Sequence, residues 1–231
     1  MRDWMILCDF DGTIALDDVT DELLASFAAP EWTRIEADWR AGRIGSRECM
    51  TAQVALIDAS QQAVDTLLDT MVIDPAFPAF VADATRMGMS VMVVSDGLDY
   101  AIQRILAGYG LGHLPIRANQ LVHDGHRGWS LRSPYASTAC AAGSGTCKCR
   151  IASDRATTLL VGDGQSDFCL AGTADYVFAK DRLIEHCRIH GIPHAAISDL
   201  RGARALLPHL AELTGMPTVF SETLPLRRQM V

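Results

Sequence analysis

The chain has 231 residues, a formal net charge of −8, 49% hydrophobic and 21% charged residues, a globular balance that excludes a disordered chain or a coiled coil. The acidic excess argues against nucleic acid as a partner, because neutralising phosphates takes Lys and Arg. No run of 18 apolar residues occurs and the apolar stretch near residue 5 is too short for a signal peptide, so neither a membrane nor export is expected; with seven cysteines, an odd number, the thiols are expected reduced and the protein cytoplasmic.

Residues 4–8 form an unbroken apolar run, which suits a strand buried on both faces of a parallel sheet. Asp17 or Asp18 can cap a helix with Val19, Leu23, Leu24 and Phe27 on one face. Pro30 opens a second, with Trp32, Ile35 and Trp39 at helical spacing and Gly42 past its end. Ser46 can cap a third, with Met50, Val54 and Ile57 inward, and Ser60 a fourth, with Val64, Leu67, Leu68 and Met71 inward. Four helices exceed a simple crossover. Residues 15–74 are therefore expected to form a helical insertion on an α/β core made of residues 1–14 and 75–231. Further apolar runs at 89–94, 157–161 and 176–179, with helical patterns between, predict a mostly parallel sheet. Two alternating stretches around Asp124-Gly125 predict a small β-hairpin over residues 116–132 within the core. Residues 133–145 read as a loop, and residues 199–213 as a closing helix.

The chemistry sits where these runs end. Asp9-Phe10-Asp11-Gly12-Thr13 directly follows the first run, and ligands of parallel sheets bind beyond the carboxyl ends of strands. Two carboxylates one residue apart can divide the work, one attacking phosphorus while the other handles protons. An EF-hand loop is excluded, since its sixth position would be Ile14 and its twelfth Thr20. Ser95-Asp96-Gly97 ends the second run, a hydroxyl and backbone N–H groups that can cradle phosphate. Asp163 and Asp167 end the next. Lys148 is the only lysine before Lys180. Carboxylates converging in one crevice repel unless a cation joins them, and hard oxygen ligands favour Mg2+.

Asp9 to Thr13, then Ser95, Lys148 and the Gly-Asp-Gly-x-x-Asp of residues 162–167 together resemble the four motifs of the haloacid dehalogenase superfamily of phosphatases. The likeness spans most of the chain and includes the insertion, which resembles that superfamily's type 1 cap on a Rossmann-like core. Within it the chain is similar to the phosphoserine phosphatase-like branch. Residues 9–24, residues 30–32 and the Cys-rich segment before Lys148 resemble the methionine-salvage phosphatases acting on 2-hydroxy-3-keto-5-methylthiopentenyl-1-phosphate. The resemblance implies a small-molecule phosphomonoester as partner, Asp9 as nucleophile and Asp11 as general acid and base. It implies Mg2+ on Asp9, the Asp11 backbone carbonyl and Asp163, with Asp167 acting through water or by orienting Lys148. Ser95, Asp96, Gly97 and Lys148 would hold the phosphoryl group, and Asp18, nine residues after the nucleophile, would meet the rest of the substrate.

The chain departs from that branch in three places. Fifteen residues separate Lys148 from Asp163 (163 − 148), where a longer helix is usual. The second motif is Ser-Asp-Gly rather than Ser-Gly-Gly. Gln53 stands where phosphoserine phosphatases carry an Arg for the substrate carboxylate, so phosphoserine is the alternative substrate rather than the expected one. A phosphotransferase or mutase would share the same intermediate, whereas a non-catalytic scaffold is disfavoured by the filled charged positions. Cys140, Cys147 and Cys149 lack a fourth zinc ligand in sequence and read as loop thiols, with Lys148 expected to favour a thiolate. Trp32 and Trp39 read as interior residues of the insertion.

Overall fold

The computed structural model describes residues 4–140, 142–152 and 157–214. The run at 4–8 is β1 (Trp4–Cys8), followed by β2 (Ser90–Leu98), β3 (Ile116–His123), β4 (Trp129–Arg132), β5 (Thr157–Gly162), β6 (Tyr176–Ala179) and β7 (His194–Ala196). They form one sheet in the order β4-β3-β2-β1-β5-β6-β7. Every pairing is parallel except β3 with β4. β3 and β4 pair antiparallel and form the edge of the main sheet.

Alternation explains the apolar runs. Ile6, Cys8, Val93, Leu159, Val161 and Phe178 pack into one buried cluster, while Leu7, Val94, Leu160, Val177 and Ala179 pack into another on the opposite face. Both faces are covered, so neither set of positions can be polar. Each fully buried Leu, Val or Phe contributes roughly 1.5–3 kcal/mol relative to exposure. The helices α5 (Phe77–Arg86) and α6 (Asp99–Gly108) contribute Phe77, Phe80, Ile102 and Ile105 to the first cluster. The second takes Leu170 of α7 (Phe168–Ala171) with Leu183 and Cys187 of α8 (Asp181–His190).

Between β1 and α5 lie α1 (Val19–Phe27), α2 (Trp32–Arg40), α3 (Ser46–Val54) and α4 (Gln61–Leu68). Asp18 caps α1 through the Asp21 amide and Ser60 caps α4 through the Ala63 amide. Ser46 does not cap α3; Gly45 holds that place. The stretches entering and leaving this helical segment run side by side, with Ala15 bridged to Ile73 and the Leu16 amide donating to the Val72 carbonyl. Val19, Leu23, Leu24, Val54, Val64 and Leu68 join the same buried cluster as β1, so the segment is cemented to the sheet rather than built around a core of its own.

The chain closes with α9 (Leu200–Leu206) and α10 (Leu210–Leu213), separated by a 3-10 turn at Leu207–His209. The sequence reads there as one helix; Pro208, lacking an N–H, interrupts it. Buried Asp74 ties the parts together by accepting from the Leu200 amide at 2.8 Å and the Ala76 amide at 2.8 Å. Residues 153–156 and 215–231, part of the expected core segment, lie outside the described residues.

Candidate active site

The carboxyl ends of β1, β2 and β5 meet at one crevice. Asp9 follows β1 directly, and its Oδ1 accepts from the Phe10 amide at 2.8 Å. Lys148 reaches the same Oδ1 at 2.7 Å and Asp167 Oδ1 at 2.7 Å. All three side chains are buried, Lys148 2% and Asp167 0% exposed. The short spacing to Asp163 is accommodated because Lys148 itself starts a 3-10 turn, Lys148–Arg150.

Asp167 is hydrogen-bonded through both of its oxygens. Its Oδ2 accepts from the Asp163 and Gly164 amides at 3.1 and 3.3 Å. It holds Lys148 and the loop after β5 in place. Asp163 accepts from Thr13 at 2.7 Å, and its other oxygen faces Gly12. Gly12 has φ +72°, and a Cβ there would stand 2.7 Å from that oxygen, so a side chain is excluded on both counts. Carboxylate oxygens of Asp9, Asp163 and Asp167 lie within 4.8 Å of one another. The Asp11 side chain stands apart from this trio, accepting from the Val19 amide at 2.9 Å.

Ser95, Asp96 and Gly97 occupy a bulge. Val94 pairs with Arg117 and Leu98 with Asn119, so three residues of β2 face one of β3. The extra backbone turns toward the crevice. The Gly97 amide donates to Ser95 Oγ at 2.9 Å, and a Cβ on Gly97 would stand 2.6 Å from Asp11 Oδ2. Asp96, expected at the phosphate, has its carboxylate engaged elsewhere. It accepts from Ser46 Oγ at 2.6 Å, the Thr146 amide at 2.8 Å and Asn119 Nδ2 at 3.2 Å. It links the helical segment, β3 and the Lys148 loop.

Burial dominates the electrostatics. It pushes Asp9 up to about 7, with Asp167 adding to the rise and Lys148 and the Phe10 amide opposing it. Asp163 is pushed up to about 6, by burial first and Asp9 second. Asp11 stands well above the ordinary carboxylate range, from burial and then Asp18. Lys148 is held above the ordinary lysine value by Asp167 and Asp9 against the cost of burial. One ammonium does not neutralise this many carboxylates, so a further cation fits among the hard oxygens.

These groups open into a cavity of about 770 Å3. The helical segment supplies Asp18, Glu36, Trp39, Met50 and Gln53 to its lining. Trp39 therefore faces the cavity rather than the interior, and α2 buries no residue fully. Gln53 is buried and donates to Glu36 Oε2 at 3.0 Å, while Arg40 holds the other Glu36 oxygen at 2.9 Å. Ser166, Thr13 and Lys180 carry no role in the sequence patterns. Ser166 accepts from Lys148 at 2.9 Å, and Lys180 Nζ donates to the Gly12 carbonyl at 2.7 Å. The scarcity of lysine was a signal for Lys180; nothing in the sequence points to Glu36.

A family model described as haloacid dehalogenase-like hydrolase matches residues 6–172. The chain is 31% identical over 202 residues to the 2-hydroxy-3-keto-5-methylthiopentenyl-1-phosphate phosphatase of Geobacillus kaustophilus, covering 83% of this chain and 89% of that one. It is 28% identical over 214 residues to the protein of the same name from Brevibacillus brevis, covering 90% and 96%. Among solved structures, it resembles a phospho-aspartyl intermediate analogue of phosphoserine phosphatase with TM-score 0.66 and 22% identity, covering 90% of this chain and 99% of the other. A probable phosphoserine phosphatase from Vibrio cholerae gives TM-score 0.68 and 19% identity, covering 93% and 67%.

Proposed function

The chain belongs to the haloacid dehalogenase-like hydrolases and is a phosphoric monoester hydrolase; from that premise we propose that it releases phosphate from a small metabolite through an aspartyl-phosphate on Asp9, with Mg2+ as cofactor. The observation that carries this reading is Lys148, buried between Asp9 and Asp167 at 2.7 Å from each.

Asp9 presents a carboxylate oxygen to phosphorus. The O–P bond forms as the ester P–O bond breaks and its electron pair leaves with the alkoxide. Asp11, whose carboxyl retains its proton at higher pH than an ordinary carboxylate, donates to that alkoxide. The same group then takes a proton from the water that attacks phosphorus and frees Asp9. Lys148, Ser95 and the Gly97 backbone hold the phosphoryl oxygens. Asp9, Asp163 and the Asp11 carbonyl are the groups that would hold Mg2+. When bound, the ion offsets the repulsion between carboxylate and phosphate. Asp167 acts as the positioning residue for Lys148, accepting from its ammonium at 2.7 Å while the Asp163 and Gly164 amides hold the other oxygen.

We read residues 15–74 as the cap over this site and the substrate as a phosphorylated metabolite without a carboxylate beside the ester. Gln53, a neutral amide engaged with Glu36, offers no guanidinium fork for such a carboxylate. Trp39 and Met50 supply an apolar wall. The compound named for the sequence relatives, 2-hydroxy-3-keto-5-methylthiopentenyl-1-phosphate, fits that description. Nucleic acid is not among the proposed partners. No helix among the described residues is long and apolar enough to cross a membrane; a cytoplasmic site of action remains part of the proposal. The test is kcat/KM for this compound against L-phosphoserine at one Mg2+ concentration. Preference for phosphoserine would refute the substrate reading and leave the phosphatase mechanism standing.

A further inference from the structure

Cys147 and Cys149 flank Lys148 in sequence, and their Sγ atoms lie 3.4 Å apart. Two more thiols extend the row, Cys140 against Cys147 and Cys169 against Cys149. Cys169 lies in α7, two residues after Asp167, so the row runs from the Lys148 turn to the helix that follows Asp167. Cys147 is buried and Cys149 is half-buried, within reach of solvent. Neither thiol belongs to the phosphatase chemistry. Among the described residues no three of these sulfurs lie within 4.8 Å of one another, which suits pairwise bonding better than a metal cage.

We propose that Cys147 and Cys149 form a dithiol that a hydroperoxide closes to a disulfide, and that closure displaces Lys148 and switches the phosphatase off. The consequence for activity rests on the role given to Lys148 above. Cys149 gives an electron pair to the outer peroxide oxygen; the O–O bond breaks, leaving a sulfenic acid and, from hydrogen peroxide, one water. The Cys147 sulfur then attacks the sulfenic sulfur. The S–S bond forms, the S–O bond breaks and a second water leaves, so two thiols and one peroxide give one disulfide and two waters. Two bent steps of ~3.8 Å keep these Cα atoms within the ~4.4–6.8 Å a disulfide needs.

Closure brings the sulfurs from 3.4 Å to about 2.05 Å. The residue spanned by the new ring is Lys148, so its backbone turns with the contraction. The ammonium has no slack, being held by Asp9, Asp167 and Ser166 at 2.7, 2.7 and 2.9 Å. Burial and the neighbouring thiols push Cys147 up to about 12, the reverse of the thiolate expected beside a lysine, because the Lys148 charge is spent on the carboxylates. Cys149 is also raised. Attack on peroxide requires the thiolate, so closure is slow at neutral pH and quickens as pH rises.

The experiment treats the full chain with about 1 mM hydrogen peroxide at pH 7 and pH 9. It follows p-nitrophenyl phosphate turnover and maps peptides after trypsin under non-reducing conditions. Trypsin cuts after Lys148, so the disulfide joins two peptides. Expected are a tenfold or greater loss of turnover, faster at pH 9, recovery with dithiothreitol, and a cross-link between the peptide ending at Lys148 and the one beginning at Cys149. Cys149→Ser should start with wild-type turnover and resist inactivation, while Cys140→Ser should still form the link. Equal inactivation of Cys149→Ser, a link to Cys169 instead, irreversible oxygen adducts without a link, or one zinc ion per purified chain held by these thiols would overturn the proposal. So would a disulfide that leaves turnover unchanged while Lys148→Ala is inactive. If Lys148→Ala itself retains turnover, it is the assignment of the site that fails.

Discussion

Ser46 on α3 donates to Asp96 in the β2 bulge at 2.6 Å, across fifty residues of sequence. The contact joins the helical segment to the bulge that carries Ser95 and Gly97. It also explains why an Asp at this position replaces the glycine usual in the resembling branch. A carboxylate here gives the helical segment a point of attachment beside Ser95 and Gly97, and hydrogen bonds to charged groups contribute about 1.5–3 kcal/mol.

Ser46→Ala should therefore loosen cap closure while leaving the reacting groups in place. The expected result is a KM raised about tenfold, consistent with the lower part of that energy range, with kcat changed less than threefold. Steady-state kinetics on a metabolite-sized substrate checks this, with p-nitrophenyl phosphate as a control that depends less on the cap. An unchanged KM would make the contact structural only.

Asp9→Asn should abolish turnover, because an amide is a poor nucleophile. Asp11→Asn should cost about 10²–10⁴-fold, the worth of general acid–base catalysis. A leaving group that needs no proton separates the two steps. With p-nitrophenyl phosphate, Asp11→Asn should show a burst of p-nitrophenol as the aspartyl-phosphate accumulates. Near wild-type steady turnover by either variant contradicts the assignment.

Stability in the absence of Mg2+ should fall between pH 5 and pH 8. Asp9 is raised to about 7 and Asp163 to about 6 in the folded protein, against about 3.9 when unfolded. The folded state thus binds more protons across this window, which makes stability decrease as pH rises. The carboxylates that are lowered, Asp69, Asp83, Asp124 and Glu185, act only near and below pH 4. Added Mg2+ should raise the melting temperature more at pH 8 than at pH 5, because it competes with the protons held at low pH. Differential scanning fluorimetry with and without EDTA measures both effects. A metal-free protein more stable at pH 8 would count against the burial of these carboxylates.

Lys148→Met should destabilise the fold by about 3–5 kcal/mol, because it leaves Asp9 and Asp167 buried without their cation. Adding Asp167→Asn removes one of the orphaned charges and should recover part of the loss. Denaturant titrations of the single and double variants give the coupling energy. Strict additivity would mean that the two residues are not coupled.

Local patterns were enough for much of this. Unbroken apolar runs placed β1, β6 and the body of β5, because a strand buried on both faces is built almost wholly of apolar residues and its signal lies within five or six positions. The Asp9 to Thr13 turn, Ser95 and the Asp163 loop were legible for a similar reason, since each sits directly where such a run ends. β7 has no such signal, because His194-Ala195-Ala196 is short, opens on a polar residue and is a strand only through its pairing with β6. The rest depended on contacts between distant segments. The Asp96 carboxylate found Ser46 only because α3 packs beside the bulge. Lys180 reached Gly12 across 168 residues, Cys169 joined the row at Cys149, and Trp39 faced the cavity because α2 packs at the rim. Spacing along one segment reports what that segment buries. Which charges share a low-dielectric crevice, and which are already satisfied there, is decided only when the strands close into one sheet.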